Sequence, residues 1–226
     1  MKNLLYCALI AVFLSSCVVT ANLDLSGETG TSENDIKATD FFNGIIEDLS
    51  SFKRDSSGLS LMDLSVKSFE DLLKGSSEAY DVSVTDKYDI CFSFDDFNAL
   101  VRSLSSMEKQ SVLFLEDDRL VLDINIDNYA ELKRIVPFLA QEDIEVYCAE
   151  YNRDYSEDDY LTMMEYIAGP QARDGILSSY VSLLFSAPSE IKTTNGKKIN
   201  STQVEFTFPL IDFLLLQKPV YFFCEF

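Results

Sequence analysis

Apolar positions along the chain follow two spacings, one typical of strands and the other typical of helices. The alternation or short apolar run of a strand occurs at residues 18–26, 88–94, 111–115, 119–126, 144–148, 178–185, 190–194, 203–208 and 220–226. The spacing of a helix occurs at residues 39–52, 65–74, 97–104, 128–139 and 157–168. The pattern therefore predicts an α+β fold with a mostly antiparallel sheet, several helices and a β-rich C-terminal part.

Turn and cap residues mark the limits of several of these elements. Asn195-Gly196 lies between two β-rich runs and predicts a hairpin, because both residue types tolerate the positive φ angles of a tight turn. Residues 116–118 predict a second hairpin, and residues 27–35 predict a turn rich in Gly, Ser and Thr. Ser156, followed by three acidic residues, predicts the start of the last long helix.

The first 16 residues differ from the rest of the chain. Lys2 supplies a positive charge, and an almost wholly apolar run extends from Leu4 to Leu14, before two serines and Cys17. A cationic start, an apolar run of about 7–15 residues and a small-residue site are typical of a secretory signal peptide. The run is shorter than the roughly 20 residues that a membrane-spanning helix needs. We therefore expect residues 1–16 to be removed on export.

The segment Leu14-Ser15-Ser16-Cys17 resembles the lipobox of bacterial lipoproteins. The resemblance implies that diacylglycerol is attached to Cys17 through a thioether and that the chain is cleaved between Ser16 and Cys17. It also implies acylation of the new amino group, with palmitate among the expected chains; more than one acyl chain gives stable anchoring. The alternative is an ordinary signal peptide, cleaved after Ala21, in which Cys17 has no special role.

Composition and charge exclude several classes of function. The chain has 226 residues and is 47% hydrophobic, which is enough for a folded core. Its formal charge of −20 argues against a nucleic-acid partner bound through a basic surface. Histidine is absent, which excludes Ser-His-Asp triads, Cys-His dyads and His-ligated zinc. Without residues 1–16 the charge becomes −21, so we expect the folded body to stand away from anionic lipid headgroups.

Three cysteines follow Cys17 in the chain, at Cys91, Cys148 and Cys224. An odd number in an exported protein leaves at least one thiol outside a disulfide, and the sequence leaves open which two, if any, are joined. Cys224 lies among large apolar residues, which favours its burial as a small hydrophobic side chain. Three thiols without histidine or a CxxC motif form a poor metal site.

The carboxylates predict no catalytic residue, no metal site and no cofactor. Acidic pairs and triplets occur at residues 95–96, 116–118, 142–143 and 157–159. They fit helix caps and turns, and neighbours within one turn do not by themselves face a sugar from two sides. Residues 123–127 have the D-x-N-x-D start of a calcium loop, but Asn128 replaces its glycine and Arg134 its final glutamate.

Two surface features of the C-terminal half are binding candidates. Lys192, Lys197 and Lys198 surround one turn and predict either solvated turn residues or a docking point for an acidic group. The apolar run at 206–226 predicts core strands, and the alternative is a cavity or patch that holds a lipid chain or a partner.

Four tyrosines form a further candidate. They are Tyr147, Tyr151, Tyr155 and Tyr160, which recur at roughly helical spacing beside acidic residues. Tyrosine combines an apolar ring with a polar hydroxyl. The spacing therefore predicts a partly buried stripe, with a contact surface for carbohydrate or protein as the alternative.

Two C-terminal blocks carry a further resemblance. Residues 187–196 contain an I-x-x-x-N-G turn, and residues 204–210 form an alternating strand that ends in an apolar residue. With the lipobox, these blocks are similar to uncharacterised bacterial lipoproteins of the LppM-like and spirochaete types. The resemblance implies an anchored extracytoplasmic α+β domain without known catalytic residues. LppM-like chains often end in a transmembrane helix, whereas here Asp212, Lys218 and Pro219 interrupt the apolar run and favour a strand.

These observations together predict a function class. We expect residues 17–226 to form a single domain on the exported side of a bacterial envelope membrane, with a binding or structural role and no enzymatic activity. The expected partners are the membrane, through the lipid on Cys17, and an envelope protein. One alternative is a carrier or chaperone for an apolar envelope ligand that uses the Phe- and Leu-rich C-terminal sheet. A second alternative is a hydrolase based on paired carboxylates.

Overall fold

The computed structural model describes residues 17–27, 29–35, 61–86 and 89–226. The predicted signal peptide at 1–16 and the predicted helix at 39–52 lie outside these ranges. The strands are β1 (Cys17–Asp24), β2 (Gly30–Asp35), β3 (Ala79–Asp86), β4 (Asp89–Phe94), β5 (Leu113–Glu116), β6 (Arg119–Ile124), β7 (Tyr180–Ser186), β8 (Thr193–Thr194), β9 (Lys197–Lys198), β10 (Gln203–Pro209) and β11 (Val220–Glu225).

The helices are α1 (Leu61–Gly75), α2 (Phe97–Ser105), α3 (Tyr129–Ile135), α4 (Glu142–Glu145), α5 (Ala149–Asn152), α6 (Glu157–Ala168), α7 (Ala172–Leu177) and α8 (Leu210–Leu215). Two short 3-10 helices lie at Ile126–Asn128 and Pro137–Ala140. The longest described helices are thus α1, with 15 residues, and α6, with 12, whereas the helices between residues 126 and 152 have three to seven residues each.

Two sheets organise the molecule. The larger has the strand order β3-β4-β2-β1-β7-β10-β9, and the smaller has the order β5-β6-β11-β8. β1 and β7 run parallel. The other registered pairs are antiparallel. Strands β7 to β11 all come from the C-terminal part, so the predicted α+β class, the mostly antiparallel pairing and the β-rich C-terminus are confirmed.

The predicted alternation in β4 matches its burial. Ile90, Phe92 and Phe94 are buried, whereas Cys91 and Ser93 on the other face are half-buried. Successive side chains of a strand point to opposite faces, so this alternation places one face of the larger sheet in the core.

The segment after β4 also follows its sequence. The Asp96 carboxylate accepts a hydrogen bond from the backbone N–H of Ala99 and caps α2. In the β5–β6 hairpin, Glu116 pairs with Arg119, and Asp117 and Asp118 adopt φ angles of 45° and 60°. Two positive φ angles are those of the tight turn that matches the twist of antiparallel strands, so the hairpin at 116–118 is confirmed.

Two elements near the N-terminus differ from the prediction. The second half of the turn expected at 27–35 is strand β2, and β3 had no counterpart in the sequence pattern. β2 is rich in polar residues but pairs with β1 on one side and β4 on the other, so backbone hydrogen bonds define it rather than an apolar face. At Gly30 a Cβ atom would lie 2.2 Å from the Phe94 ring, so only glycine fits there.

The middle of the chain differs as well. The helix expected over 128–139 ends at Ile135, because Pro137 disfavours helical backbone at the preceding residue. Val136 is consequently 37% exposed instead of facing inward. The strand expected at 144–148 is wrong, since residues 142–145 form α4.

Ion pairs hold α4, the helix that forms in place of the predicted strand. The Lys133 ammonium on α3 lies near the Glu145 carboxylate at the end of α4 and also pairs with Glu150 on α5. The hydrogen bond that Lys133 donates to Glu150, together with the charges of both glutamates, raises the pKa of Lys133. These contacts tie α4 and α5 to α3, which favours helix over the isolated strand that the apolar run suggested.

The hairpin expected at Asn195-Gly196 is also not formed. β8, which precedes the turn, pairs with β11 of the smaller sheet, and β9, which follows it, pairs with β10 of the larger sheet. The turn thus carries the chain from one sheet to the other. At Gly196 a Cβ atom would lie 2.6 Å from the Phe206 ring, so the glycine permits this crossing.

The main core contains side chains of both sheets together with α1 and α2. Ring centroids lie 5.7 Å apart for Phe185 and Phe226 and 4.8 Å apart for Phe206 and Phe222. Cys224 and Phe226 are buried, so the prediction that the last strand belongs to the core is confirmed. Among the described residues, no helix has both the length and the apolar character needed to cross a bilayer.

A separate small core joins α6, α7 and α8. Its buried members are Tyr160, Leu161, Met164, Ala172, Ile176, Ile211 and Leu215. α7 leads directly into β7, and α8 directly follows β10. The three helices therefore pack at the end of the larger sheet where β7 begins and β10 ends.

Candidate functional site

The predicted anchor residue Cys17 is the first residue of β1. Its backbone partner in the parallel ladder is Tyr180, the first residue of β7. Ser16, the other predicted cleavage residue, lies outside the described ranges. Every described residue of β1 therefore lies on the C-terminal side of the cleavage site expected between Ser16 and Cys17.

The remaining cysteines are free thiols in three different places. Cys148 and Cys224 are buried, and burial raises the pKa of Cys148 and raises that of Cys224 to about 11. Cys91 is half-buried on the outer face of β4. The expected burial of Cys224 is confirmed, and the question of pairing is answered by three separate reduced thiols.

Pairing of β2 with β4 brings Glu33, Asp89 and Cys91 together. One potential ligand atom from each lies within 4.8 Å of the others. Asp89 accepts a hydrogen bond from Thr85 through Oδ2, while its Oδ1 is buried without a hydrogen-bond partner. Burial and the two neighbouring carboxylates raise the pKa of the Cys91 thiol. The sequence did not indicate this cluster, and we assign no metal to it.

The acidic groups of the predicted pairs serve local structure. Asp96 caps α2, and Asp117 and Asp118 form the β5–β6 turn. In the calcium-like segment, the Asn125 side chain accepts hydrogen bonds from the backbone N–H groups of Asp127 and Asn128 and caps a 3-10 helix. These carboxylates and amides therefore stabilise turns and helix starts.

The three lysines of the predicted turn also make contacts within the chain. Lys192 Nζ donates to the Phe226 carbonyl at 3.0 Å, and Lys198 Nζ donates to the Ile191 carbonyl at 2.7 Å. Lys197 pairs with Glu205 at 3.4 Å. These contacts favour a structural role for the lysines at the turn over a docking point for an acidic group.

The predicted tyrosine stripe separates into buried and exposed members. Tyr160 is fully buried, and its hydroxyl donates to the Tyr147 carbonyl at 2.8 Å. Tyr151 is 61% exposed and Tyr155 is 45% exposed. Residue spacing alone identified the four tyrosines but did not separate these two environments.

Tyr166, which the sequence did not single out, is the most exposed large apolar side chain among the described residues, at 92%. It lies on α6, whose opposite face buries Tyr160, Leu161 and Met164. Ile167 beside it is 46% exposed. The buried residues of α6 recur at helical spacing and define its inward face. Tyr166 lies off that face, so this pattern could have predicted its exposure.

Hydrogen bonds hold the Tyr166 helix in place. The Ser156 hydroxyl accepts from the backbone N–H of Asp159 and caps α6. Arg173 on α7 pairs with Asp158 at 2.9 Å and Glu165 at 3.2 Å, which ties the two helices together. The exposed face of α6 around Tyr166 is named here the tyrosine surface, and it stands on this fixed support.

No phenylalanine of the described C-terminal strands is among the exposed residues. Phe206, Phe208 and Phe222 stack on one another, with centroid separations of 4.8 and 5.9 Å about Phe222. Phe206 and Phe208 are buried. Their ring faces are occupied by protein, which supports a role in the core.

Comparison with solved structures gives a match of low similarity. No protein-family model matches the chain, and no curated protein matches it. The chain is similar to the folded domain of LppM from Mycobacterium tuberculosis, solved by NMR, at 12% identity over 91% of this chain and 86% of that domain. The TM-score is 0.36.

Proposed function

We propose that this protein is an envelope lipoprotein, anchored through lipid on Cys17, whose exported domain acts by binding or structural contact and not by catalysis. The support begins with the lipobox-like segment at 14–17 and the apolar run before it. The lipid would attach at the end of a folded strand, because β1 begins at Cys17.

The observation that carries this proposal is the register at the start of β1. Cys17 is already paired with Tyr180, so cleavage between Ser16 and Cys17 would leave the described strand β1 complete. Cleavage after Ala21 would instead remove more than half of β1, a strand that lies between β2 and β7. The sheet therefore favours processing at Cys17 over the alternative site.

Mass spectrometry of the mature amino terminus tests the anchor. We expect an acylated Cys17 at the terminus, and Cys17→Ser should leave the chain unlipidated. Cys7→Ser is the matched control, because Cys7 lies inside the predicted signal peptide and should not affect lipidation. A mature chain that begins at Val18, Asn22 or later would contradict the proposal.

The tyrosine surface supports the binding role. Tyrosine is enriched in protein interfaces because it buries a large ring at low conformational cost and retains a polar hydroxyl. Tyr166 exposes 92% of its area on a capped, ion-paired helix, where no part of the described core needs it. We infer an envelope protein as the partner of this surface.

Site-specific photo-crosslinking in intact cells tests this contact. A photoreactive residue at position 166 should give a discrete crosslinked species, whereas the same residue at Tyr80 should not. Tyr80 is a suitable control because it is also exposed, at 36%, but lies on β3. Equal crosslinking at both positions, or none at 166, would contradict a partner at the tyrosine surface.

A further inference from the structure

One end of the larger sheet combines the predicted anchor with an apolar edge. Cys17 begins β1, Tyr180 begins the parallel strand β7, and Pro209 ends β10 opposite Tyr180. The backbone N–H of Leu210 donates to the Ser179 carbonyl at 2.9 Å, which joins the starts of α8 and β7. These residues therefore lie side by side at the same end of three adjacent strands.

The three strands contribute no charge to this end. Residues 17–23, 175–189 and 206–211 contain no Asp, Glu, Lys or Arg, although 25% of the chain is charged. The neighbouring strands at the same end of the sheet differ, because Asp35 of β2 pairs with Asp89 of β4 there. The ends of β1, β7 and β10 are thus uncharged, whereas β2 and β4 carry Asp35 and Asp89 there, and the adjoining helices expose Asp174 on α7 and Asp212 on α8.

Apolar groups are exposed beside these uncharged strand ends. Leu177 at the end of α7 and Tyr180 are each 39% exposed, and Ser178 between them is exposed as well. Tyrosine is enriched where membrane meets water, because its ring enters the acyl region while its hydroxyl stays hydrated. Leu177 and Tyr180 form what we call the anchor edge.

We propose that the anchor edge rests in the interface of the lipid bilayer that holds Cys17. This inference rests on the lipid anchor proposed above. Because β1 begins at the acylated residue, the anchor has no flexible spacer that would hold the sheet away from the membrane. Tyr180 is the strand partner of Cys17 and is therefore held at the same depth.

The anchor edge revises the expectation that the acidic body stands away from the membrane. Repulsion between a protein of charge −21 and anionic headgroups depends on distance, and it is screened within roughly 8–10 Å. The contacting side chains of Leu177 and Tyr180 carry no charge, so they add nothing to that repulsion. The protein is then fixed in one orientation, with the end of the sheet at which β4 leads into α2 directed away from the lipid.

Tryptophan fluorescence of the full lipidated protein in phosphatidylcholine vesicles tests the inference. The chain contains no tryptophan, so Tyr180→Trp introduces a single reporter. Tyr80→Trp is the control, since Tyr80 is 36% exposed and pairs with Ser93 at the other end of the sheet. Brominated acyl chains should lower the emission at position 180 at least about two-fold, as expected for an interfacial aromatic ring, and leave that at position 80 unchanged.

The outcomes separate the inference from the proposal beneath it. If the protein is lipidated and sediments with the vesicles but neither tryptophan is quenched, the domain stands away from the bilayer and the inference is wrong while the anchor stands. If mass spectrometry finds no lipid on Cys17, the proposed anchor fails and the inference fails with it. Leu177→Trp provides a second reporter should Tyr180→Trp not fold, with quenching again expected.

Discussion

Aromatic residues of the sheets and those of the helical segment 142–168 differ in type and exposure. The sheets bury phenylalanine, with Phe94, Phe185 and Phe206 at most 1% exposed. The helical segment contains tyrosine and no phenylalanine, and two of its tyrosines, at 151 and 166, are more than 60% exposed. A phenylalanine ring gains free energy only through burial, whereas a tyrosine can stay at a surface with its hydroxyl in water.

The difference places the buried aromatic core in the sheets and leaves the exposed tyrosines outside it. Removal of a sheet phenylalanine leaves a cavity that neighbouring rings cannot fill, so the free energy of unfolding should fall sharply. Removal of an exposed tyrosine leaves the core intact, so only binding should change. Four changes, in decreasing order of effect, test this separation.

Deletion of residues 220–226 should abolish folding. Val220, Cys224 and Phe226 are buried, and burying each large apolar side chain contributes about 1.5–3 kcal/mol against a net domain stability of about 5–15 kcal/mol. Residues 17–226 and 17–219, both with Cys17→Ser, should be compared by thermal melting and solubility. A shorter chain that is soluble and melts cooperatively would show that the C-terminal strand is not core.

Phe206→Ala should lower the free energy of unfolding by about 3–5 kcal/mol, the usual cost of deleting a fully buried ring. The ring is 1% exposed and lies against Phe222 and the Gly196 turn. Denaturant unfolding measures the loss, and Phe206→Leu should cost clearly less because it keeps most of the volume. A loss below about 1 kcal/mol for the alanine variant would place this ring outside the core.

Ser156→Ala should cost about 1 kcal/mol, because the hydroxyl caps α6 through the backbone N–H of Asp159 at 3.1 Å. Ser156→Thr keeps an acceptor oxygen and should retain most of the stability. Thermal melting of both variants decides the point. Equal losses for alanine and threonine would mean that packing, not the cap, accounts for the effect.

Tyr166→Ser should change the free energy of unfolding by less than about 0.5 kcal/mol, as for other solvent-exposed positions. The side chain is 92% exposed, whereas Tyr160 on the same helix is fully buried. Tyr160→Ser should therefore cost about 3 kcal/mol or more in the same denaturant experiment. If the two tyrosine variants are equally stable, the separation between core and surface does not hold on α6.

Much of the fold followed from local patterns in the sequence. The alternation at 88–94, the acidic turn at 116–118 and the cap at Ser156 predicted elements that the structure contains. Each depends on interactions within a few residues, namely side-chain direction, allowed φ angles and capping hydrogen bonds. The lipobox-like segment at 14–17 likewise depends only on neighbouring residues, and it is the source of the predicted anchor.

Other features depended on partners distant in the sequence. β2 forms because β1 and β4 supply its backbone hydrogen bonds, and Asn195-Gly196 crosses between sheets because β11 and β10 bind the strands on its two sides. Local preference did not decide either case, since pairing energy comes from strands far along the chain. The uncharged anchor edge arises in the same way.

The sequence by itself determined the α+β class, the excess of negative charge, the absence of histidine chemistry and the predicted lipid site at Cys17. Only the tertiary structure decided which tyrosines are exposed and which end of the sheet carries Cys17 and Tyr180. The physical reason is that exposure and neighbourhood are properties of packed elements. A residue's own type and its near neighbours set its conformational preference, while distant elements decide whether it meets solvent.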